Sequence, residues 1–523
     1  MMRHNLALEF HRRLKENPRR VALVVDGTKY DYERLGSFAG SVAAWLRAAA
    51  GSKKEFRVGI LAARSLEAIG GILGTVWAGF TYVPFNVKTP PDRLIALLKR
   101  VPLDAMIIDG SGAACVTEAV RGYLPDKVLA PSGPLEIPGL TMSDSSALNL
   151  RAPLDEPVLV PGDTPAYLLF TSGTTGPPKA VIITVANVAA YLRGINSFYE
   201  FKPEDRFSQF SEISFDFSVH ELFVSWGAGA SLWVVPESQR TAPWQFIKEN
   251  EITVWSSVPS VVSVLQQLRI LREGIFPSVR LTMFSGDALS TATAQAWQFA
   301  APQSKVDNHF GATELTVMCT FERFTPGADT NGRGFVPIGI PYPEMRAAVV
   351  LPDGSFASPG QEGELAFSGP QITPGYLDEP ELTGRRYPVK KHPVYGETRW
   401  YLTGDRGVEG ADGKLHHLGR VDNQVKVRGY RIELEDIESQ LREVTGSELV
   451  SVVAWPIEDG TATGLVAFIT SCPLSNGDIK AGMRKRVPPY MVPKEIRRMD
   501  TLPLSANGKV DRKRLQRLLD EKA

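Results

Sequence analysis

The chain has 523 residues, more than the roughly 250 to 300 at which a single hydrophobic core stops growing, so at least two domains are expected. Its 58 basic and 58 acidic residues cancel, which removes the whole-molecule field that would favour nucleic acid or an anionic membrane. Three cysteines, Cys115, Cys319 and Cys472, lie far apart with no Cys-x-x-Cys pair, the usage expected of a reducing cytoplasm without structural zinc.

Residues 1–20 are charged throughout and space Leu6, Phe10 and Leu14 at helical intervals, which predicts an amphipathic helix rather than a signal peptide. The longest uncharged run, residues 68–85, carries four glycines and ends on Val83-Pro84, so it reads as a buried helix plus turn and not as a membrane span. From Val21 to about Arg151, short β-rich runs (Val21–Val25, Arg57–Leu61, Ala105–Ile108) alternate with helical stretches such as residues 66–78. That alternation predicts a layered α/β domain with a largely parallel sheet.

The apolar run 166–170 then enters Thr171-Ser-Gly-Thr-Thr-Gly-Pro-Pro-Lys179, which reads as a buried strand ending in a polyanion cradle. Gly173 and Gly176 let backbone N–H groups approach phosphate oxygens, Thr171, Ser172, Thr174 and Thr175 add hydroxyl donors, and Lys179 adds a charge. A solvated linker has similar composition, but it does not normally follow five apolar residues and run into another β-branched segment, here 181–184. The spacing fits neither a Walker loop nor a Gly-x-Gly-x-x-Gly fingerprint.

Further strands are predicted at 206–209, 230–235, 252–257, 279–284 and 305–310, and ligands of such folds bind at the sheet ends. In Phe215-Asp-Phe-Ser-Val-His-Glu-Leu-Phe223, Ser218 and Glu221 have the spacing of a capping box, with Asp216 just ahead where a carboxylate suits the helix dipole. Beyond residue 337, runs at 347–351 and 363–367 read as a small β subdomain. The end of the chain reads as a small α+β lid: a turn at 426–431, a helix at 434–444, strands at 449–454 and 464–469, and a helix near 479–486.

The Thr171–Lys179 loop resembles the signature of the adenylate-forming superfamily: acyl-CoA synthetases, firefly-type luciferases and the amino-acid-activating domains of non-ribosomal peptide synthetases. Its other motifs follow in the expected order from about Tyr30 to Arg512: residues 77–85 with Pro91-Asp-Arg-Leu94, Phe215–Phe223, Ser285-Gly-Asp-Ala288, Asn308-His-Phe-Gly-Ala-Thr-Glu314, Tyr401-Leu-Thr-Gly-Asp405, Gly419–Glu438 and Leu502–Arg512. Phe310 stands for the usual tyrosine, Ala312 for proline, and Pro374 where an arginine is common. The resemblance implies an α/β protein. Residues 1–421 would form a large N-terminal core of layered α/β subdomains plus a small β subdomain, and residues 422–523 a mobile α+β lid hinged at Asp422.

The same resemblance implies roles. ATP would be held by Thr171, Ser172, Gly173, Thr174, Thr175, Gly176 and Lys179, by Gly286, Asp287 and Ala288, and by Asn308, His309, Phe310, Gly311, Ala312 and Thr313, with Phe310 against adenine. Asp405 and Arg420 would take the ribose, Glu314 the Mg²⁺, and Lys509 would be the catalytic lysine, with Thr171 and Glu314 beside it. Asp216 would pair with a substrate α-ammonium group, a role compatible with helix capping. The side-chain pocket would be Phe217, His220, Ser256, Met283, Ser285, His309, Val317 and Met318. Its second half resembles proline-type pockets, while the two histidines allow an acidic or hydroxylated side chain.

Activation of a small to medium amino acid as aminoacyl-AMP is therefore expected, followed by transfer to the phosphopantetheine of a carrier protein. Only eleven residues follow Arg512, so that carrier is expected in trans, with neither nucleic acid nor membrane as a partner. The alternative is an acyl-CoA synthetase for a small carboxylic acid, in which Asp216 is only a cap.

Overall fold

The structure, a computed structural model, describes residues 3–173, 176–327, 334–421, 424–447, 449–458, 461–470, 472–503 and 510–521. The amphipathic N-terminal segment is helical over Leu8–Glu16 and buries Phe10. Residues 68–85 resolve into the buried helix Leu66–Trp77 and the strand Thr81–Phe85, so Val83-Pro84 belongs to a strand where a turn was expected. None of the described helices is long and apolar enough to cross a membrane.

The Val- and Ile-rich runs of the first third become parallel strands because their side chains pack on both faces of a covered sheet. Arg57–Leu61 lies between Thr81–Phe85 and Ala105–Ile108, with Val128–Ala130 beyond. β1 (Pro165–Gly173) runs parallel beside Thr81–Phe85, and β2 (Gly176–Thr184) folds back antiparallel, with Thr171 opposite Lys179. The described ends of the glycine- and threonine-rich segment are thus paired ends of two antiparallel strands.

A second sheet is parallel through Ser231–Val234, Arg206–Gln209 and three further strands. The helix α1 (Phe217–Gly227) precedes Ser231–Val234 in the chain; after it come β3 (Val254–Ser257), β4 (Leu281–Phe284) and β5 (Lys305–Phe310), side by side. One apolar cluster joins residues of both sheets with the helices Tyr32–Ala50, Leu66–Trp77, Val185–Asn196 and α1. The strand ends of two sheets therefore open toward the same place.

β6 (Tyr401–Glu409) and β7 (Leu415–Arg420) pair with Arg346–Val350 and Glu362–Ser368 in the expected small antiparallel sheet. β8 (Gln424–Val427) and β9 (Tyr430–Glu433) then form a hairpin that leads into α2 (Leu434–Thr445). Among the described residues, strands after 424 pair only with one another. The helix expected near 479–486 runs over Asn476–Arg484 behind a Ser475/Asp478 capping box. The elements not anticipated include the strand Glu495–Arg498 and the helix Arg512–Asp520, which packs Leu515 and Leu519 on Val453, Val466 and Phe468.

Candidate active site

A cleft of about 270 Å³ opens where β1, β3, β4 and β5 end. Leu169 to Thr171, Val258, Ser285 with Gly286, and Gly311 to Thr313 contribute from those ends, Asp405 and Arg420 from the small sheet, and residues 428–431 from the lid hairpin. Gly311 is required here because a Cβ on it would stand 2.0 Å from the Val317 carbonyl oxygen. Thr171 lines the cleft, and burial lowers the pKa of Lys179 opposite it.

Asp216 stands at the head of α1 but forms no side-chain cap. The capping-box reading of Ser218 and Glu221 is also overturned. The Ser218 hydroxyl donates to the carbonyls of Phe215 and Ile213, and buried Glu221 accepts from the N–H groups of Phe210 and Ser211, tying the helix to the preceding strand. Asp216 accepts a hydrogen bond from the Thr313 side chain, while its Oδ2 is shielded from water without a partner. Burial raises its carboxyl to about 6. A carboxylate held this way is a receptor for a cation.

At the residues expected to hold the nucleotide, Phe310 is buried beside Phe367, and Asp405 is a junction of strands. Asp405 lies opposite Arg420, whose Nη1 is 3.0 Å from its Oδ2, and His417 Nε2 is 3.0 Å from its Oδ1. Burial pushes this carboxyl up, but His417 and Arg420 outweigh it and hold it below the usual range. Burial likewise raises Asp287 to about 6, against the Lys426 charge and a hydrogen bond from the Gly429 N–H. Asn308 spends its side chain on the carbonyls of Val336 and Pro337, so it ties two segments together and is not turned to a nucleotide.

Glu314, in the turn after β5, is 1% exposed, accepts from the Tyr376 hydroxyl at 2.9 Å and pairs with Arg431 of the lid at 3.1 Å. Burial opposes its ionisation, and Arg431 with Tyr376 more than compensates. The lid hairpin reaches this carboxylate because its two-residue turn, Arg428-Gly429, has φ of 51° and 82° and folds tightly enough to enter the cleft. A Cβ on Gly429 would meet Val258 at 2.5 Å. Tyr430 packs edge-on to Phe215 at 5.3 Å and stacks on Tyr490 at 4.0 Å, and Arg93 pairs with Asp436 at 3.0 Å.

The expected side-chain pocket divides in two. Phe217, Ser285 and Val317 line the cleft; His220, Ser256, Met283, His309 and Met318 are buried and do not. Phe217 lies flat over His220 at 5.6 Å, and His220 Nδ1 meets the Tyr191 hydroxyl at 2.7 Å. His309 is enclosed by the hydroxyls of Tyr199 and Tyr342, both at 2.8 Å, with Tyr199 passing on to Asp307. Burial lowers His220 to about 3 and His309 to about 4, so both are neutral parts of the framework. His309 on the strand β5 and His220 on the helix α1 are both turned away from the cleft into packed surroundings, which spacing along the chain does not reveal.

Tyr376, His417, Gln371 and Arg431 had no assigned role in the sequence, since partners fifty or more residues away made them relevant, or in the case of His417 a cross-strand neighbour. Thr174, Thr175, Asp422 and Lys509 lie outside the described residues, as do the side chains of Ser172, Gly173 and Gly176.

Residues 10–377 match the AMP-binding enzyme family and residues 436–509 its C-terminal domain. The chain is 31% identical over 524 residues to the anguibactin system regulator of Vibrio anguillarum, covering 97% of this chain and 47% of the relative. It is 30% identical over 511 residues to delta-poly-L-ornithine synthetase of Acinetobacter baumannii, covering 95% and 35%. The chain thus spans about half or less of these relatives' length. Among solved structures it is similar to the Vibrio cholerae adenylation domain AlmE in complex with glycyl-adenosine-5'-phosphate (TM-score 0.86, 29% identity, 100% of this chain and 98% of the other). It shares its fold with PA1221, a protein containing adenylation and carrier domains (TM-score 0.81, 24% identity, 99% and 84%). The chain belongs to the AMP-binding, adenylate-forming enzymes, in the manner of the adenylation domains of non-ribosomal peptide synthetases.

Proposed function

We propose that the chain activates an amino acid as its aminoacyl-adenylate, releasing pyrophosphate, and hands the aminoacyl group to the phosphopantetheine thiol of a carrier protein. Asp216 carries this reading: it does not cap its helix, it lines the cleft, and its Oδ2 is shielded and unpartnered. The α-ammonium group of an amino acid completes such a carboxylate, whereas a plain carboxylic acid offers it nothing. The glycyl adenylate bound by the similar AlmE supports an aminoacyl group. The side chain is taken to be small, because Phe217 lying over His220 closes the space beneath it.

The chemistry needs no general base, since the substrate carboxylate, with a pKa near ~3.5, is ionised at neutral pH. It attacks the α-phosphorus as the bond to pyrophosphate breaks, and the obstacle is the approach of one anion to another. Glu314, whose oxygens serve the Tyr376 hydroxyl and Arg431 in this structure, would hold a magnesium ion arriving with ATP once Arg431 withdraws, and that ion would supply charge neutralisation. The chain's own contribution is Thr171 and Lys179 at the hairpin, Asp405 with Arg420 at the ribose, and Lys509 from the lid. With the 428–431 turn in the cleft and Arg431 on Glu314, the lid position described here suits the later, thioester-forming step.

Amino-acid-dependent ATP–pyrophosphate exchange, run with a panel of amino acids and simple carboxylic acids, tests the proposal. Exchange is expected with a small amino acid and none with acetate or propionate. Exchange confined to simple acids sinks the ammonium role of Asp216.

A further inference from the structure

The cleft has two ends. One is lined by Ser285, Gly286, Gly311, Asp405 and Arg420, the side proposed for the nucleotide; the other runs out between core and lid past Thr89, Arg93, Glu212, Arg240, Pro488 and Tyr490. A thiol that reaches an acyl group beside Asp216 while the nucleotide fills the first end has to enter by the second.

This second end is rich in charge, and its charges are spent on one another. Glu212, 8% exposed, accepts from Arg240 at 2.5 Å and from Lys88 at 2.9 Å. Lys88 also donates to Glu237 at 2.5 Å, and Arg64 holds Glu237 from behind at 3.0 Å. Arg93 is paired with Asp436 of the lid. Glu212 and Arg240 line the cleft whereas Lys88 and Glu237 are exposed, so the network crosses from the cleft wall to solvent. Burial opposes the ionisation of Glu212, and Arg240 with Lys88 outweigh it, so the carboxylate keeps its charge. Ion pairs of this kind add little net stability, so the fold by itself gives small reason for a carboxylate here.

A lysine and an arginine at the mouth of a thiol channel are ready partners for phosphate. CoA carries a diphosphate and a ribose phosphate beyond its pantetheine, while the arm of a carrier protein carries one phosphodiester. We infer that Glu212 selects the acceptor: by holding Lys88 and Arg240 it denies them to the extra phosphates of CoA and sets its own charge against them. The inference rests on the aminoacyl-transfer reading above. A mouth neutralised in this way leaves the pantetheine arm itself unhindered, and discrimination falls on what lies beyond the arm.

Glu212→Gln keeps the shape and removes the charge. In single turnover from preformed aminoacyl-adenylate, the second-order rate constant is measured with CoA, with free pantetheine and with a phosphopantetheinylated carrier protein. Wild type is expected to favour pantetheine over CoA by about tenfold. In Glu212→Gln the rate constant for CoA rises about tenfold relative to that for pantetheine, and most of the gain disappears in Glu212→Gln/Lys88→Met, which lacks the released lysine. The ratio of two thiols does not depend on how much of a variant is folded. A ratio unchanged in Glu212→Gln, or raised equally in the double variant, overturns the inference and leaves carrier loading by wild type, and the reading it rests on, standing. Wild type that uses CoA as readily as the carrier overturns both.

Discussion

At the wall of the cleft, Thr316 and Val317 have φ of 58° and 71°, a region that a β-branched residue enters only under constraint. The constraint is Gln371, whose side-chain amide donates to the carbonyls of Met318 at 2.8 Å and Leu315 at 3.2 Å, while its backbone carbonyl accepts the Thr316 hydroxyl at 2.7 Å. Gln371→Ala leaves buried carbonyls unpaired and lowers stability by about 1 to 3 kcal/mol. It also releases Val317, so the KM for the amino acid rises more than that for ATP. Denaturant unfolding with exchange kinetics checks both, and an unmoved amino-acid KM rejects the clamp. Asp216 makes a second prediction. Its raised pKa, about 6, means the free enzyme carries the carboxylate above that pH and loses it below. The kcat/KM for the amino acid therefore falls about tenfold per unit as pH drops below about 6. Asp216→Asn removes that limb and costs about 10² to 10³ in kcat/KM, the scale of leaving one member of a buried pair alone. A variant with unchanged amino-acid kinetics and the same pH profile removes the ammonium assignment.

Two elements of the lid are expected to serve different steps. The β8–β9 hairpin docks through Gly429, where a methyl group would both oppose the positive φ and press on Val258. Gly429→Ala keeps the lid from seating, so aminoacyl transfer to a thiol drops by about 10² while pyrophosphate exchange, which does not need the docked hairpin, persists. Loss of both steps in equal measure shows that the glycine serves folding instead. Lys509 belongs to the opposite case. Lys509→Ala lowers exchange by about 10² to 10³, the scale for one preorganised donor, and transfer from supplied adenylate survives. Rapid-quench assays of the separate half-reactions distinguish the two variants, and parallel losses reject the division of labour between the ends of the lid.

At the scale of the whole molecule, equal numbers of acidic and basic residues leave recognition of the acceptor to local surfaces rather than to a long-range field. The residues leading into α2 resemble carrier-dependent enzymes more than CoA ligases, so a phosphopantetheinylated carrier protein is expected to be loaded much faster than free CoA. Intact-mass spectrometry of a carrier incubated with enzyme, ATP and amino acid reads the added acyl mass. Efficient acyl-CoA formation beside an unmodified carrier reassigns the acceptor.

Local pattern determined a great deal. The strands Arg206–Gln209 and Lys305–Phe310 fall on the residues their apolar runs predict, and the hairpin, small sheet and lid elements appear in the expected order, because each run carries its own periodicity and turn residues. Phe310, Glu314, Asp405 and Arg420, proposed for the nucleotide side, stand out as candidates in the sequence for the same reason, each being embedded in a motif of neighbours. Which of the aligned pocket residues reach the cleft was decided only in three dimensions. Packing of α1 and β5 against Tyr191, Tyr199 and Tyr342 turns His220 and His309 inward, and spacing along the chain does not encode which face a neighbouring helix will cover. The pairing of Arg431 with Glu314, 117 residues apart, depends on where one folded unit rests on another. That is set by the fit of a glycine tip against Val258 and of Tyr430 against Phe215, contacts that exist only once both surfaces are formed.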